Sequence, residues 1–247
     1  MIKTVELSKS FGNKDVLKRL SIDFEKGETT VVLGRSGTGK SVLLKVILRL
    51  LSIDSGQIYI DDVDTTEFSE SQMMGVRKKM GILFQGSALF DSMTVFENVA
   101  FTLREHTRYS EREIKSIVEE KLDFVEMRGT ERLLPSELSG GMQKRIALAR
   151  TMANDPDYIF FDEPTTGLDP ITANTINELI IRVREHTGTT VLVVTHDLES
   201  AGMVGQKMVL IKGGEKYFEG TPDEFQNSHI DFVREFRSGG KDNYNEG

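Results

Sequence analysis

The sequence predicts an α/β fold: a core of parallel strands, an antiparallel set of strands ahead of it, and a helical subdomain inserted within it. Three observations carry this. Short, continuously apolar runs such as TTVVL, YIFF and TVLVV read as strands buried on both faces of a parallel sheet. A glycine-rich loop directly after the first of these runs opens a helix. From about Asp91 to Pro135 the chain carries helix signals and no convincing strand, so a helical part interrupts the α/β pattern.

Taken in order, the first strands are IKTVEL and VLKRLSIDFE, the latter with Val16, Leu20, Ile22 and Phe24 as its apolar set. TTVVLG follows, then a helix from about Gly39, then strands at GQIYI and MGILF. The clearest helix runs from Ser110 to Val125, with Ile114, Ile117, Val118, Leu122 and Val125 on one face and a capping box of Ser110 and Glu113. A further helix, Lys144 to Asn154, sets Ile146, Ala149 and Ala153 on one face. YIFF and TVLVV complete the buried strands, and KMVLI with EKYFEG forms a hairpin about Gly213 and Gly214. The whole chain is expected to be one domain. Its nucleotide-binding core covers about 1–90 and 156–220, its helical subdomain about 91–155, and 221–247 holds C-terminal helices and a flexible tail, SGGKDNYNEG. The tetrapeptide REHT occurs twice, but its flanks differ, and His106 and His186 within it read as solvated helix-end residues.

At 38% hydrophobic and 28% charged residues, the chain is neither disordered nor fibrous. A net charge of −8 argues against a nucleic-acid surface. The absence of cysteine removes disulfides and thiolate metal sites and fits a reducing cytoplasm. MIKTVELSKSFG lacks the apolar core of a signal peptide, so export is not expected. The most apolar stretch, Val42 to Leu51, is broken by Lys45 and Arg49 and falls short of the roughly 20 residues that span a bilayer.

Gly34-Arg35-Ser36-Gly37-Thr38-Gly39-Lys40-Ser41 matches G-x-x-x-x-G-K-[ST] between a strand and a helix. Glycines let backbone N–H groups turn inward around phosphate oxygens, and the helix N-terminus adds partial positive charge. Lys40 can charge-pair with the β- and γ-phosphates, and the Ser41 hydroxyl can ligate Mg²⁺. These features predict a P-loop NTPase core that binds ATP, although kinases, GTPases and motor ATPases share the motif.

Asp162 and Glu163 end the apolar strand YIFF, and adjacent acids there seldom serve packing. Asp162 is expected to hold Mg²⁺, directly or through water, and Glu163 to orient or deprotonate the water that attacks the γ-phosphate. Gly34, Gln85, Asp162 and His196 each follow a predicted strand, at the carboxyl ends where open α/β sheets bind ligands. Gln85 can sense Mg²⁺ and the attacking water, and His196 can hydrogen-bond the γ-phosphate; a surface glutamine and a helix-start histidine are the plain alternatives.

Leu138-Ser139-Gly140-Gly141-Met142-Gln143 precedes a helix and reads either as a second anion site or as a simple helix cap. The ordered set of phosphate loop, glutamine, LSGGM-Q, acidic strand end, Gly167-Leu168-Asp169 and histidine closely resembles the ABC ATPase family, over nearly the whole chain. That resemblance implies an ATP-hydrolysing transporter subunit in which two chains sandwich two ATP molecules head to tail. It implies that Phe11 stacks on adenine, that Asp169 lies in the loop joining the two chains' sites, and that Ser139, Gly140 and Gly141 of one chain face the γ-phosphate bound by Lys40 of the other. Asp169-Pro170 is also a good N-cap, and Phe11 can equally be core.

Within the family, GRSGTGKSVLLK and GILFQGSALFDSMTVFENVAFTLREHT resemble the ATPases of Mla/MCE phospholipid transporters, the MlaF type. That likeness implies a polytopic membrane permease and an MCE-domain protein as partners, with the ATPase peripheral on the cytoplasmic face. The segment Ser87 to Thr107 would dock the permease, although Leu89, Phe90, Val95 and Phe96 can also be core. The rivals are the ATPase of a polar-solute importer, such as one for amino acids, and a cytosolic ABC ATPase. The second usually looks like fused cassettes or carries a coiled-coil insertion, and this chain shows neither.

Overall fold

The computed structural model describes residues 1–239, so the tail expected at the C-terminus lies, from residue 240 on, outside the described residues. In chain order the first elements are β1 (Ile2–Phe11), β2 (Lys14–Phe24), β3 (Thr29–Leu33), α1 (Lys40–Ile47), β4 (Ser55–Ile60), β5 (Val63–Asp64), α2 (Glu70–Arg77) and β6 (Met80–Leu83). Then come α3 (Val95–His106), α4 (Glu111–Phe124), a 3₁₀ turn at Pro135–Glu137, α5 (Gly140–Met152), β7 (Tyr158–Asp162) and α6 (Pro170–Thr187). The chain continues through β8 (Thr190–Thr195), α7 (Leu198–Val204), β9 (Lys207–Lys212), β10 (Glu215–Gly220), α8 (Pro222–Gln226) and α9 (Asp231–Arg237). These form two compact units, one of Met1–Phe68 with the residues from Leu192 on, the other of Ser69–Val191.

In the first unit, β2, β1, β4 and β5 form an antiparallel sheet in that order. Alternation along β2 breaks at Arg19, which with Glu6 on β1 adopts a left-handed backbone (φ 48° and 47°). The bulge turns both Leu17 and Leu20 inward and leaves Val16 partly exposed, where strict alternation had placed Val16 in the core. β3 pairs in parallel with β9, Thr30 opposite Lys207 through Leu33 opposite Leu210. Val31, Val32 and Leu33 are fully buried, each stabilising by about 1.5–3 kcal/mol relative to exposure, which fixes the point where the following loop begins. β9 and β10 join through Gly213 and Gly214, both at positive φ, as a two-residue hairpin of the primed type requires.

In the second unit, β6 and β7 run parallel, Met80 opposite Tyr158 through Leu83 opposite Phe161, and all five residues of β7 are buried. Helices α3, α4 and α5 pack on one another. Capping boxes start two of them, Thr94 with Glu97 for α3 and Ser110 with Glu113 for α4. α5 begins at Gly140, four residues before the expected Lys144, because Ser139 caps it: its hydroxyl accepts from the Met142 N–H at 3.3 Å. Helix α2 was not expected. Only Met73 of its eight residues is buried, too thin a stripe to read by periodicity, although Ser69 and Gln72 form its capping box. Among the described residues, no helix is long and apolar enough to cross a membrane.

Candidate functional site

In the first unit, β3 delivers the chain at Gly34 and α1 starts at Lys40. Gly39 occupies the N-cap position at φ 100° and provides no side-chain cap, so the amino end of α1 opens directly into the loop. A Cβ at Gly39 would lie 2.8 Å from the Val16 carbonyl oxygen and 2.9 Å from Leu17 Cδ2, so glycine is required there on both counts. The Lys40 ammonium is buried inside the loop, donating to the carbonyls of Gly34 (2.8 Å) and Arg35 (3.2 Å), and the Thr38 hydroxyl donates to Arg35 O at 2.9 Å. Arg35 in turn pairs with Glu235 of α9 at 2.8 Å.

A cavity of about 760 Å³ within the same unit is lined by Arg35, Ser36, His196, Phe236 and Arg237, among others. It brings the phosphate loop and His196 together. His196 is exposed, between β8 and the Asp197 cap of α7, whose carboxylate accepts from the Glu199 and Ser200 N–H groups. Phe11 does not line this cavity. It stands 47% exposed at the end of β1, with Lys9 Nζ 5.5 Å from its ring centroid, so it is not a core residue. Lys9 also pairs with Asp54 at 2.7 Å, and that hydrogen bond, with one from the Ser10 N–H, holds the Asp54 carboxyl below its usual range.

In the second unit, Asp162 ends β7 nearly buried, and Glu163, also nearly buried, takes a left-handed backbone at φ 50°. Such a conformation is costly for a residue with a Cβ and is typical of positions where function fixes the side chain's aim. The Thr166 hydroxyl donates to Glu163 Oε2 at 3.1 Å. Gln85 is exposed just after β6, and its carbonyl accepts a hydrogen bond from the ammonium of Lys144 on α5. Lys144 is only 4% exposed; burial pushes its pKa down, against the opposing charge of Asp162. Lys144 thus ties α5 to the Gln85 backbone, near enough to Asp162 for that charge to act on it.

The signature residues Ser139 and Gly140 are exposed, while Gly141 is buried against Thr172 at the start of α6. Asp169 caps α6, its Oδ1 accepting from the N–H groups of Ile171 and Thr172 (both 3.1 Å) and its Oδ2 from the Thr172 hydroxyl at 2.6 Å. Thr172 therefore joins the signature segment to the Asp169 loop. His106 and His186 are exposed near the ends of α3 and α6, as solvated residues would be.

Lys144 and Arg150 escaped the sequence reading. The available signal was position: Lys144 shares the buried face of α5 with Gly141, Ala147 and Leu148, and a lysine on a buried face needs a partner. Of the apolar residues after Gln85, Val95 is fully buried, whereas Phe90 is 41% exposed beside Phe101 and lines a groove of about 450 Å³ with Met80, Phe84 and Arg150.

Among the described residues, no cluster of three or more His, Cys, Asp or Glu side chains is arranged to hold a metal. Ser41, Gln85 and Asp162 are nonetheless oxygen donors of the kind that suits magnesium, which takes one or two carboxylates and fills its shell with phosphate oxygens and water. Ser41 lies in the first unit, and Gln85 and Asp162 in the second.

The ABC transporter family profile matches residues 17–166. The chain is 41% identical over 98% of its length, and 92% of the relative's, to the intermembrane phospholipid transport system ATP-binding protein MlaF of Haemophilus influenzae. It is 40% identical, over 96% of its length and 69% of the relative's, to the probable ribonucleotide transport ATP-binding protein mkl of Mycobacterium leprae. The dimeric ATP-binding cassette MJ0796, solved in a post-hydrolysis state with ADP and Pi, superposes with a TM-score of 0.83 at 33% identity, covering 90% of this chain and 99% of that one. With that fold, that identity over most of its length and a phosphate loop built on Lys40, the chain belongs to the ABC transporter family as an ATP-hydrolysing, ATP-binding subunit with the ABC ATPase fold.

Proposed function

We propose that the chain hydrolyses ATP as a head-to-tail homodimer to drive a separate membrane permease that moves phospholipid, with an MCE-domain protein as a further partner. The observation that carries the site reading is the buried Lys40 ammonium inside a glycine loop whose helix has no side-chain cap, on a cavity that His196 also lines. The loop from Gly34 through Ser36, Gly37 and Gly39 cradles the phosphates, and Lys40 exchanges its carbonyl partners for phosphate oxygens. Phe11, half exposed beside Lys9, stacks on the base. Ser41, Gln85 and Asp162 would hold magnesium, which when bound would neutralise charge on the β- and γ-phosphates.

Glu163 accepts the proton of the attacking water or orients it, its carboxylate steadied by Thr166. His196 hydrogen-bonds the γ-phosphate. Ser139, Gly140 and Gly141 present a capped helix N-terminus to the nucleotide held by the second copy, with Asp169 in the adjoining loop; their exposure at Ser139 and Gly140 supports this. The chain then sits at the cytoplasmic face of a membrane, docked through the segment 87–107, of which Phe90 is the exposed aromatic.

The relative named for phospholipid transport supports the cargo, and the one named for ribonucleotide transport supplies the competing reading. A mild-detergent pull-down from native membranes, with proteins and lipids identified by mass spectrometry, separates them. A polytopic permease with an MCE-domain protein and phospholipid is the expected result. A permease with bound ribonucleotide would replace the cargo, and no membrane protein would remove the transport reading.

A further inference from the structure

Segment 82–88, which carries Gln85, hangs from α5 by side chains that donate to its backbone carbonyls. Lys144 donates to Gln85 O, Arg150 to Ser87 O (2.9 Å) and Ala88 O (2.8 Å), and Thr151 Oγ1 to Ile82 O (3.2 Å). Ser87 and Ala88 adopt left-handed backbone conformations, φ 60° and 50°, that residues with a Cβ rarely hold without outside support. Lys144 differs from the other two anchors. It lies on the buried face of the helix that Ser139 caps, and its charge is felt together with that of Asp162.

We propose that Lys144 is a positioning residue for ATP hydrolysis: its buried ammonium pins the Gln85 backbone to the signature helix and so sets where the Gln85 side chain stands relative to Asp162. The ammonium at the end of a flexible stem holds the carbonyl through a charge-assisted hydrogen bond, which an apolar side chain cannot make. Any displacement of α5, whose first turn is the signature segment, is then carried rigidly to Gln85. Arg150 does the same for the strained residues that follow it. This rests on the proposed role of Gln85 in hydrolysis, so the test treats anchor and role separately.

The experiment uses the full chain with Lys144→Met, which keeps the stem and removes the donors, Lys144→Arg, which keeps charge and donors, and Gln85→Ala. The first readout is hydrogen–deuterium exchange without nucleotide or magnesium. Lys144→Met should raise exchange at least threefold across 84–90 and leave α4 and α6 of the same unit at wild-type values; a merely structural role would raise exchange throughout the unit. The second is steady-state hydrolysis, where kcat should fall at least tenfold in Lys144→Met with KM for ATP changed less than twofold, and Lys144→Arg should recover to within threefold of wild type. If Lys144→Met is too unstable to assay, Lys144→Leu, which likewise has no donor, takes its place with the same expected pattern. Wild-type exchange across 84–90 overturns the anchor. Local loosening with unchanged kcat in both Lys144→Met and Gln85→Ala overturns the role of Gln85 and leaves the anchor standing. Lost kcat in Gln85→Ala alone, with Lys144→Met fully active, overturns the positioning role.

Discussion

Gly141→Ala probes the join between the signature segment and the Asp169 loop. A Cβ at Gly141 would fall inside 3.0 Å of Thr172 Cγ2, closer than real Cβ atoms come. Thr172 has little room to yield, because rotating its χ1 to swing the methyl away also withdraws the hydroxyl from Asp169 Oδ2. Overpacking of this kind costs about 1–3 kcal/mol. Replacing a helical glycine returns up to about 1 kcal/mol of helix propensity, less in the first turn where Gly141 lies. The expected net loss is therefore about 1–2 kcal/mol, read as a lower urea midpoint at unchanged slope. Thr172→Ser removes the offending methyl and keeps the hydroxyl, at a cost below about 0.8 kcal/mol because the side chain is only partly buried. The double variant should be more stable than Gly141→Ala alone, with a coupling of about 1 kcal/mol in the double-mutant cycle. Additivity within about 0.5 kcal/mol, the value for independent sites, would refute the close approach as the cause.

Three further outcomes are expected. Glu163→Gln should keep ATP binding and ATP-dependent dimerisation but lose about 10²-fold or more in kcat, as loss of a general base does; wild-type turnover in a single-turnover assay would remove Glu163 from that role. Phe11→Ala should change stability by less than about 0.5 kcal/mol, because the ring is half exposed, yet weaken binding of a fluorescent ATP analogue about 5- to 100-fold, the range for loss of one base–aromatic stack; unchanged affinity would leave the ring without a nucleotide role. The Asp169 carboxyl is held below the usual 3.8 by the Thr172 hydroxyl and by backbone N–H groups, so its charged form is favoured in the folded state. Its contribution is present above the unfolded value and disappears as pH falls through the lower folded value. Denaturation midpoints of wild type and Asp169→Asn should therefore converge as the pH drops below 3.8, and a gap that widens there would contradict the assignment.

Strands buried on both faces were readable because an unbroken apolar run such as TTVVL has few other uses, and α4 because its capping box and its 3.6-residue stripe agree. Val16 misled because alternation holds only while the backbone is regular, and nothing in the side chains of Glu6 or Arg19 announces a left-handed turn. Arg19 does gain an ion pair with Glu6 at 2.5 Å, visible only once the strands are paired. Strand β5, two residues long, is made by its partner: Asp64 pairs with Tyr59, and no local pattern asks for it. At the site, residues that form short motifs were legible, from Gly34 to Ser41 and from Leu138 to Gln143. Lys144, next in the chain, was not, since its meaning depends on a carbonyl 59 residues away.

The Arg35–Glu235 pair ties the two chain segments of the first unit into one mechanical element. Helix α9 is seated by Phe232, with Tyr217 edge-on at 5.3 Å and Lys212 Nζ 4.0 Å above its ring, and by buried Val233 and Phe236. Its far side reaches the loop that wraps Lys40. Removing the chain from Asp231 onward would strip one wall from the cavity at the phosphate loop and release Arg35 at the same stroke. In this protein the stretch that looks most expendable for trimming or for attaching a label is wired to the glycine-rich loop through Arg35, so a change in ATP affinity after such handling reports on α9 before it reports on catalysis.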